Sequence, residues 1–314
     1  PDSDRLRWVL ARWLLQQGDV ARSNFISSQL HLASQEHDPG ADDESHEERV
    51  RNLLGLYLSG MGLNRPFDII PSSKQGEIGF WVHSGASYSR TARRLDQSLR
   101  PDDIGVGDRG EIIGVFNRGF INELHIDVEG LIEFGMCIAG SSAMTEVRVF
   151  SNPYGGYYDD IHDEAGQPKF AEAVRVLMGM LPECRIRRLT LDNLYITDPS
   201  VFRELFTIPE LGLLNEFIYD FGWVGGPILQ EFAEAANLIH LKRLVLGSFG
   251  LDDEGLTAIA ESPQLGRLPE LLLRSDDHYD PNTGPGWGAI EKQFGDRASL
   301  DIHMEADERM YDDE

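Results

Sequence analysis

Residues 241–260, which read LKRLVLGSFGLDDEGLTAIA, contain the pattern that decides the fold. The Leu-Val-Leu core at 244–246 alternates in a way that is typical of a β-strand with one buried face. Apolar residues at 256–260 then follow at helical spacing, and Asp252 or Asp253 can cap that helix. The stretch therefore predicts one strand followed by one amphipathic helix.

The same apolar core recurs along the C-terminal two-thirds of the chain. Successive cores are separated by 23, 42, 28, 27, 27 and 29 residues, and the last four separations are nearly constant. Amphipathic helical patterns lie between the later cores. Each unit is therefore predicted to be a strand and a helix, and stacked units would share one core. The seven predicted cores are 124–126, 147–149, 189–191, 217–219, 244–246, 271–273 and 300–302.

Residues 241–260 resemble the leucine-rich repeat in its longer, ribonuclease-inhibitor-like form. This resemblance implies an α/β solenoid, with a curved parallel sheet inside and helices outside. The chain departs from the family at the asparagine that usually follows the strand and binds loop backbone groups. Leu194, Gly222 and Phe249 stand there, and only Asn152 fits. The resemblance therefore implies regular strands joined by less regular turns.

The N-terminal third has a different pattern. Apolar residues recur along one face of a helix that Gly18-Asp19 should end, and a second helix is predicted from Phe25. The five residues of the predicted first face are Leu6, Val9, Leu10, Trp13 and Leu14. The stretch resembles the bacterial repeat-companion domain, and the resemblance resumes at the segment FNRGFI, residues 116–121. It implies a helical cap on the repeat array and carries no catalytic residues. The matching residues are Asp2, Asp4, Arg5, Leu6, Trp13, Leu14, Gly18, Asp19, Phe25, Ile26, Gln29 and Leu30.

These patterns divide the chain into four predicted segments. A helical cap, 1–36, precedes an acidic linker and irregular connecting region, 37–111. The repeat array, 112–304, contains an insertion at 153–167 that is rich in Gly, Tyr and Asp. An acidic tail, 305–314, follows the array and is expected to be disordered.

Charge and composition exclude several functions. The 314 residues include 28 Lys and Arg against 53 Asp and Glu, a net charge of −25. Such a chain lacks the clustered cations that bind nucleic acid or anionic membrane surfaces. Its apolar runs are shorter than the roughly 20 residues that cross a bilayer, and Cys137 and Cys184 imply no disulfide framework. An acidic, cytoplasmic protein is predicted.

Several short motifs could carry chemistry, but each also has a structural interpretation. Residues 105–110 fit G-x-G-x-x-G but lack the preceding strand and following helix of a dinucleotide site, so a tight loop is expected. His83 and Cys137 could form a Cys/His enzyme dyad, yet Cys137 falls on an apolar pattern and is predicted to be a buried structural thiol. Residues 280–291 resemble a calcium loop but have proline at its sixth position. The sequence therefore predicts no catalytic residue, cofactor or metal.

The surface predicted to bind a partner is the concave face of the sheet. Residues between the core positions should face it, with Ile218, Val245 and Leu272 aligned as an apolar stripe and charged residues as its rim. In the last unit Asp301 should occupy the stripe position. Two alternatives remain open: the tail or a loop covers the stripe, or these residues are ordinary strand formers. The predicted protein-binding residues are Arg148, Phe150, Glu216, Ile218, Asp220, Arg243, Val245, Leu272 and Arg274.

The functional hypothesis is a non-enzymatic recognition or scaffold protein that binds another protein on this face. Its acidity favours a partner with a basic surface, or it only keeps an elongated molecule soluble. An alternative is an accessory substrate or regulator of a protease or modifying enzyme encoded nearby. Its accessible sites would then be the loops at 38–48 and 153–167.

Overall fold

The computed structural model divides the chain into two compact units, Pro1–Met144 and Thr145–Glu314. Within the part of the chain that it describes, no helix has both the length and the apolar character needed to cross a membrane. The described residues are 4–34, 43–60, 67–71, 77–82, 112–117, 120–139, 144–151, 167–223, 225–275 and 284–302.

The first unit combines packed helices with antiparallel strands. Strands β1 to β4 pair in chain order, and each neighbouring pair is antiparallel. Its elements are α1 (Asp4–Gln16), α2 (Val20–Ser34), α3 (Asp43–Gly60), β1 (Phe67–Pro71), β2 (Glu77–Val82), β3 (Ile112–Asn117), β4 (Phe120–Asp127) and α4 (Val128–Ala139). The first predicted repeat core, 124–126, lies in β4.

The turn between α1 and α2 follows its predicted position. Gly18 has a φ of +87°, a left-handed conformation that favours glycine, and it ends α1 as expected. Asp19 then accepts a hydrogen bond at 3.2 Å from the backbone N–H of Arg22 and starts α2. The buried Ser23 hydroxyl donates to the Ala11 carbonyl at 2.7 Å, which fixes α2 close to α1.

The predicted apolar face of α1 is wrong for three of its five residues. Leu6, Val9 and Trp13 are exposed, at 57%, 60% and 52%. The small Ala11 lets α2 approach closely, and this close approach turns a different side of α1 inward. The buried core between the two helices consists of Ala11, Leu14, Ile26 and Leu30, with Leu10 packed against it.

The segment predicted as an irregular linker contains helix α3 and strands β1 and β2. Leu54, Tyr57 and Leu58 recur at helical spacing and are buried. The Tyr57 ring stacks on Phe25 with 5.3 Å between ring centroids. Burial raises the pKa of Tyr57 to about 12. The acidic residues from Asp43 onward therefore belong to a helix whose second half packs on α2.

The second unit repeats a strand and a helix, and its six strands are parallel. The parallel α/β repeat predicted from the spacing is confirmed for this unit. A short 3-10 helix follows each of its α-helices. The elements are β5 (Glu146–Phe150), α5 (Gln167–Met180), β6 (Arg188–Asp192), α6 (Pro199–Leu205), β7 (Glu216–Trp223), α7 (Gly226–Glu234), β8 (Arg243–Phe249), α8 (Asp253–Glu261), β9 (Glu270–Ser275), α9 (Pro285–Phe294) and β10 (Ala298–Ile302).

Strand register corrects the position of the last repeat core. Leu271 pairs with Ala298 and Leu273 with Leu300, so the core is 298–300 and not 300–302. The turn Gly295–Arg297 after α9 ends one residue before Ala298 and sets this start. The separation from the preceding core, from 271 to 298, is then 27 residues. The last three separations are therefore identical.

Aromatic side chains fill the centre of the second unit. The Phe232 ring lies 4.8 Å from Phe206 and 5.4 Å from Phe217, measured between centroids. Phe202 contacts both Phe232 and Tyr219. The buried Tyr219 hydroxyl donates to the Leu194 carbonyl at 2.7 Å, which satisfies its polar group inside the core.

The turns are held by different polar side chains in different units. Asn193, at φ 54°, donates from its side chain to the Ser151 carbonyl at 3.2 Å. Asn237 donates to the Phe206 carbonyl at 2.8 Å, and Arg297 donates to the Leu268 carbonyl at 2.7 Å. Asn193 directly follows β6, whereas Asn237 and Arg297 lie in the 3-10 helices that precede β8 and β10. Asn152 and most of the predicted insertion lie outside the described residues.

Candidate protein-binding surface on the sheet

One face of the second unit's sheet carries the residues that alternate with the buried core positions. We call it the polar face. Because neighbouring strands are in register, its residues form three rows that run across the strands. The first row is Glu146, Arg188, Glu216, Arg243 and Glu270. The middle row is Arg148, Thr190, Ile218, Val245, Leu272 and Ser299. The third row is Phe150, Asp192, Asp220, Gly247, Arg274 and Asp301.

The first row alternates in charge and is a continuous chain of ion pairs. Arg188 donates to Glu146 at 3.0 Å and to Glu216 at 2.5 Å. Arg243 donates to Glu216 at 2.6 Å and to Glu270 at 2.8 Å. Each guanidinium therefore bridges the carboxylates of the two neighbouring strands, which orders both side chains.

The arginines of this row remain charged under all ordinary conditions. Partial burial alone would lower the pKa of Arg188, but the Glu146 charge and hydrogen bonds with Glu216 and Glu146 raise it above its usual value. Burial has the same lowering effect on Arg243, and Glu216 and Glu270 outweigh it. The ion pairs of this row are therefore not lost through deprotonation of Arg188 or Arg243.

Two ion pairs involve the third row, and one of them spans a glycine. Arg148 donates to Asp192 at 2.5 Å, and Arg274 donates to Asp220. Asp220 follows Tyr219, which pairs with Leu246, and its side chain lies against Gly247 of β8. A Cβ atom at 247 would overlap the Asp220 carboxylate. Gly247 is therefore the residue that makes room for the Asp220–Arg274 pair.

The predicted apolar stripe is aligned, but its centre is buried. Ile218 pairs in register with Val245, and Val245 with Leu272, as the spacing predicted. Val245 is only 2% exposed, whereas Ile218 and Leu272 are partly exposed. Ser299, rather than the predicted Asp301, continues this row in β10. The accessible apolar contacts of the middle row are therefore Ile218 and Leu272.

The nine predicted residues lie on the polar face, but four of them are buried. The buried ones are Phe150, Glu216, Asp220 and Val245. The partly exposed ones are Arg148, Ile218, Arg243, Leu272 and Arg274. Three further members of the first row were absent from the predicted set. Alternation of Glu and Arg at one position per repeat is the signal that could have found Glu146, Arg188 and Glu270.

Other candidate chemistry finds little support among the described residues. Cys137 is exposed, so its prediction as a buried thiol is wrong; Cys184 is the buried cysteine. Helix α4 buries the flanking Phe134 and Ile138 and leaves position 137 outside. His83, the glycine motif at 105–110 and most of the calcium-like loop lie outside the described residues. Within the described ranges, no group of three or more His, Cys, Asp and Glu residues could hold a metal.

Comparison with known proteins leaves the polar face as the main guide to function. No protein-family model, curated protein or solved structure matches this chain.

Proposed function

We propose that the chain is a non-enzymatic, cytoplasmic recognition or scaffold protein that binds another protein through its polar face. The second unit is then a leucine-rich-repeat array, and the N-terminal helices are a cap of the bacterial repeat-companion type. The observation that carries this proposal is the in-register first row, in which every described side chain is held by an ion pair to the next strand.

A surface ordered in this way suits recognition. Long arginine and glutamate side chains ordinarily lose about 1.5–2 kcal/mol of rotamer freedom when they are fixed. On the polar face the row arginines and glutamates already hold defined positions before a partner arrives. These side chains then lose less conformational entropy on binding, and the surface presents a fixed pattern of charges to a partner.

The middle row supplies the apolar part of the contact. Ile218 and Leu272 lie between two charged rows, on either side of the buried Val245. An apolar centre with a charged rim is the usual anatomy of a protein interface. Because the rim charges are largely paired with one another, the attraction for a basic partner comes chiefly from the net charge of −25.

The test is affinity capture with variants that change only this face. Ile218→Arg/Leu272→Arg adds bulk and charge to the accessible apolar positions and leaves Val245 intact. Leu213→Arg/Ile239→Arg is the matched control, because both residues are exposed in the same unit and lie outside the sheet. Each bait is used only after circular dichroism shows that its secondary structure and melting temperature match those of the wild type.

The proposal expects a protein captured by the wild type and by the control, and lost by the polar-face variant. Hydrogen exchange with the captured protein should then show protection in strands β7 to β9. A protein retained by all three baits would place the binding site elsewhere. Turnover of a substrate that depends on Cys137 would instead favour an enzyme.

A further inference from the structure

The first row of the polar face ends at Glu270. The neighbouring unit has Arg297 directly before Ala298, where a further bridging arginine would continue the row. Its guanidinium instead donates to the Leu268 carbonyl at 2.7 Å and the Gln293 carbonyl at 2.8 Å. Arg297 thus stabilises a turn, and the chain of ion pairs stops one strand earlier.

Glu270 consequently differs from Glu216, the carboxylate at the centre of the row. Both oxygens of Glu216 accept hydrogen bonds from arginines, and its side chain is 11% exposed. Glu270 accepts through Oε1 from Arg243 alone among the described residues, and its side chain is 55% exposed. One carboxylate oxygen therefore remains available to a donor from outside.

Apolar surface lies beside this carboxylate. Leu272 is two residues further along β9 on the same face, about 7 Å away along the strand. It is partly exposed, and its partner in the next strand is the small, exposed Ser299. A side chain that approaches Glu270 from the side of Leu272 thus contacts the apolar Leu272 before its end reaches the Glu270 carboxylate.

We propose that the partner places a lysine or arginine side chain at this position, with its alkyl stem on Leu272 and its charged head at the Glu270 carboxylate. Both cations combine an apolar stem of suitable length with a charged donor at its end. A charged donor to a carboxylate forms a stronger hydrogen bond than a neutral one. This inference rests on the proposed function and adds the chemistry of the partner's contact.

The probes are three acetylated and amidated pentapeptides, Ala-Leu-X-Leu-Ala, with lysine, norleucine or glutamate at X. Norleucine keeps the alkyl stem and removes the charge. Binding to the full chain is followed by methyl NMR on Ile, Leu and Val, with the Ile218 and Leu272 signals as reporters. The lysine peptide should shift these signals at the lowest concentration, and the glutamate peptide at the highest.

A pair of matched variants separates the local contact from the general charge. Glu270→Gln should weaken the lysine peptide about threefold, the size expected for a partly exposed ion pair, and leave the norleucine peptide unchanged. Glu261→Gln removes the same charge from the exposed side of α8 and should change neither peptide.

Three results would overturn the inference. They are equal binding of the lysine and norleucine peptides, equal weakening by both glutamine variants, and no shift at Leu272 with any peptide. Equal binding of the lysine and norleucine peptides at Leu272 would leave the proposed function standing. It would contradict only the inference that the partner places a cation at Glu270. Conversely, the lysine peptide could bind selectively while the captured partner binds the Ile218→Arg/Leu272→Arg variant as well as it binds the wild type. That combination would contradict the proposed function and leave the lysine contact standing.

Discussion

Glu216 is the residue on which the first row of the polar face depends. It is mostly buried between Arg188 and Arg243, at 2.5 Å and 2.6 Å from their guanidinium groups. Burial of a carboxylate is unfavourable unless opposite charges and donors replace water. Here two arginines provide that replacement, and both retain a second glutamate partner on their other side.

We expect Glu216→Gln to lower the free energy of unfolding by about 1–2 kcal/mol. The loss falls short of that for a fully buried pair because both arginines are partly exposed and keep another carboxylate. Urea denaturation measures it. The matched control is Glu204→Gln, because Glu204 lies 3.6 Å from Arg175 and both side chains are more than half exposed.

The control should lose less than about 0.5 kcal/mol, as exposed pairs usually do. Equal losses in the two variants would mean that the first row adds no stability beyond an ordinary surface pair.

Two adjacent aspartates form hydrogen bonds with the N-terminal ends of three helices of the second unit, α7, α8 and α9. Asp252 caps its own helix α8 through the Gly255 N–H at 2.7 Å, and it also accepts from the Gly226 N–H of α7 at 2.6 Å. Asp253 accepts from the Gly286 N–H of α9 at 2.8 Å. One dipeptide therefore satisfies backbone donors in three consecutive helices.

This arrangement predicts unequal effects of two capping substitutions. Asp252→Ala removes acceptors from two helices and should destabilise the protein by about 2 kcal/mol, whereas loss of one cap costs about 1 kcal/mol. Asp198→Ala is the single-cap control, because among the described residues Asp198 accepts from Ser200 alone, at the start of its own helix, α6. Chemical denaturation compares them, and equal losses would contradict the role of Asp252 between helices.

At the scale of the whole molecule, charge acts in two opposite directions. The net charge of −25 produces repulsion among residues that are not paired. The rows of the polar face instead gain from attraction at short range. Salt screens distant exposed charges more than close, partly buried pairs, so repulsion should be weakened more than the rows.

We therefore expect NaCl to stabilise the protein. Raising it from about 20 mM to about 300 mM should add about 1 kcal/mol, which shifts Tm by about 2–4 °C for units of this size. Differential scanning calorimetry measures the shift. Glu216→Gln is the internal control. Its Tm should rise more with salt than that of the wild type, because it has fewer favourable ion pairs for salt to weaken. A fall in Tm with salt would show that attraction between paired charges dominates.

Much of the second unit follows from its sequence. Alternating leucines, helical spacing and a period near 27 residues are local patterns, and they predicted the strands and helices from β6 to α9. The resulting register also aligned Ile218, Val245 and Leu272 as expected. The cap at Asp252 could likewise be read from its position before an amphipathic helix.

Tertiary structure decided which of these residues are accessible. Val245 and Leu272 occupy the same position in adjacent strands, yet only Leu272 is partly exposed. Leu6 and Trp13 fit an apolar helix face, but the approach of α2 over Ala11 selected another side. Arg297 occupies the position of a bridging arginine in the first row, but its guanidinium donates to backbone carbonyls instead. Local sequence fixes backbone periodicity through short-range sterics and hydrogen bonds, whereas exposure and ion pairing depend on neighbours distant along the chain.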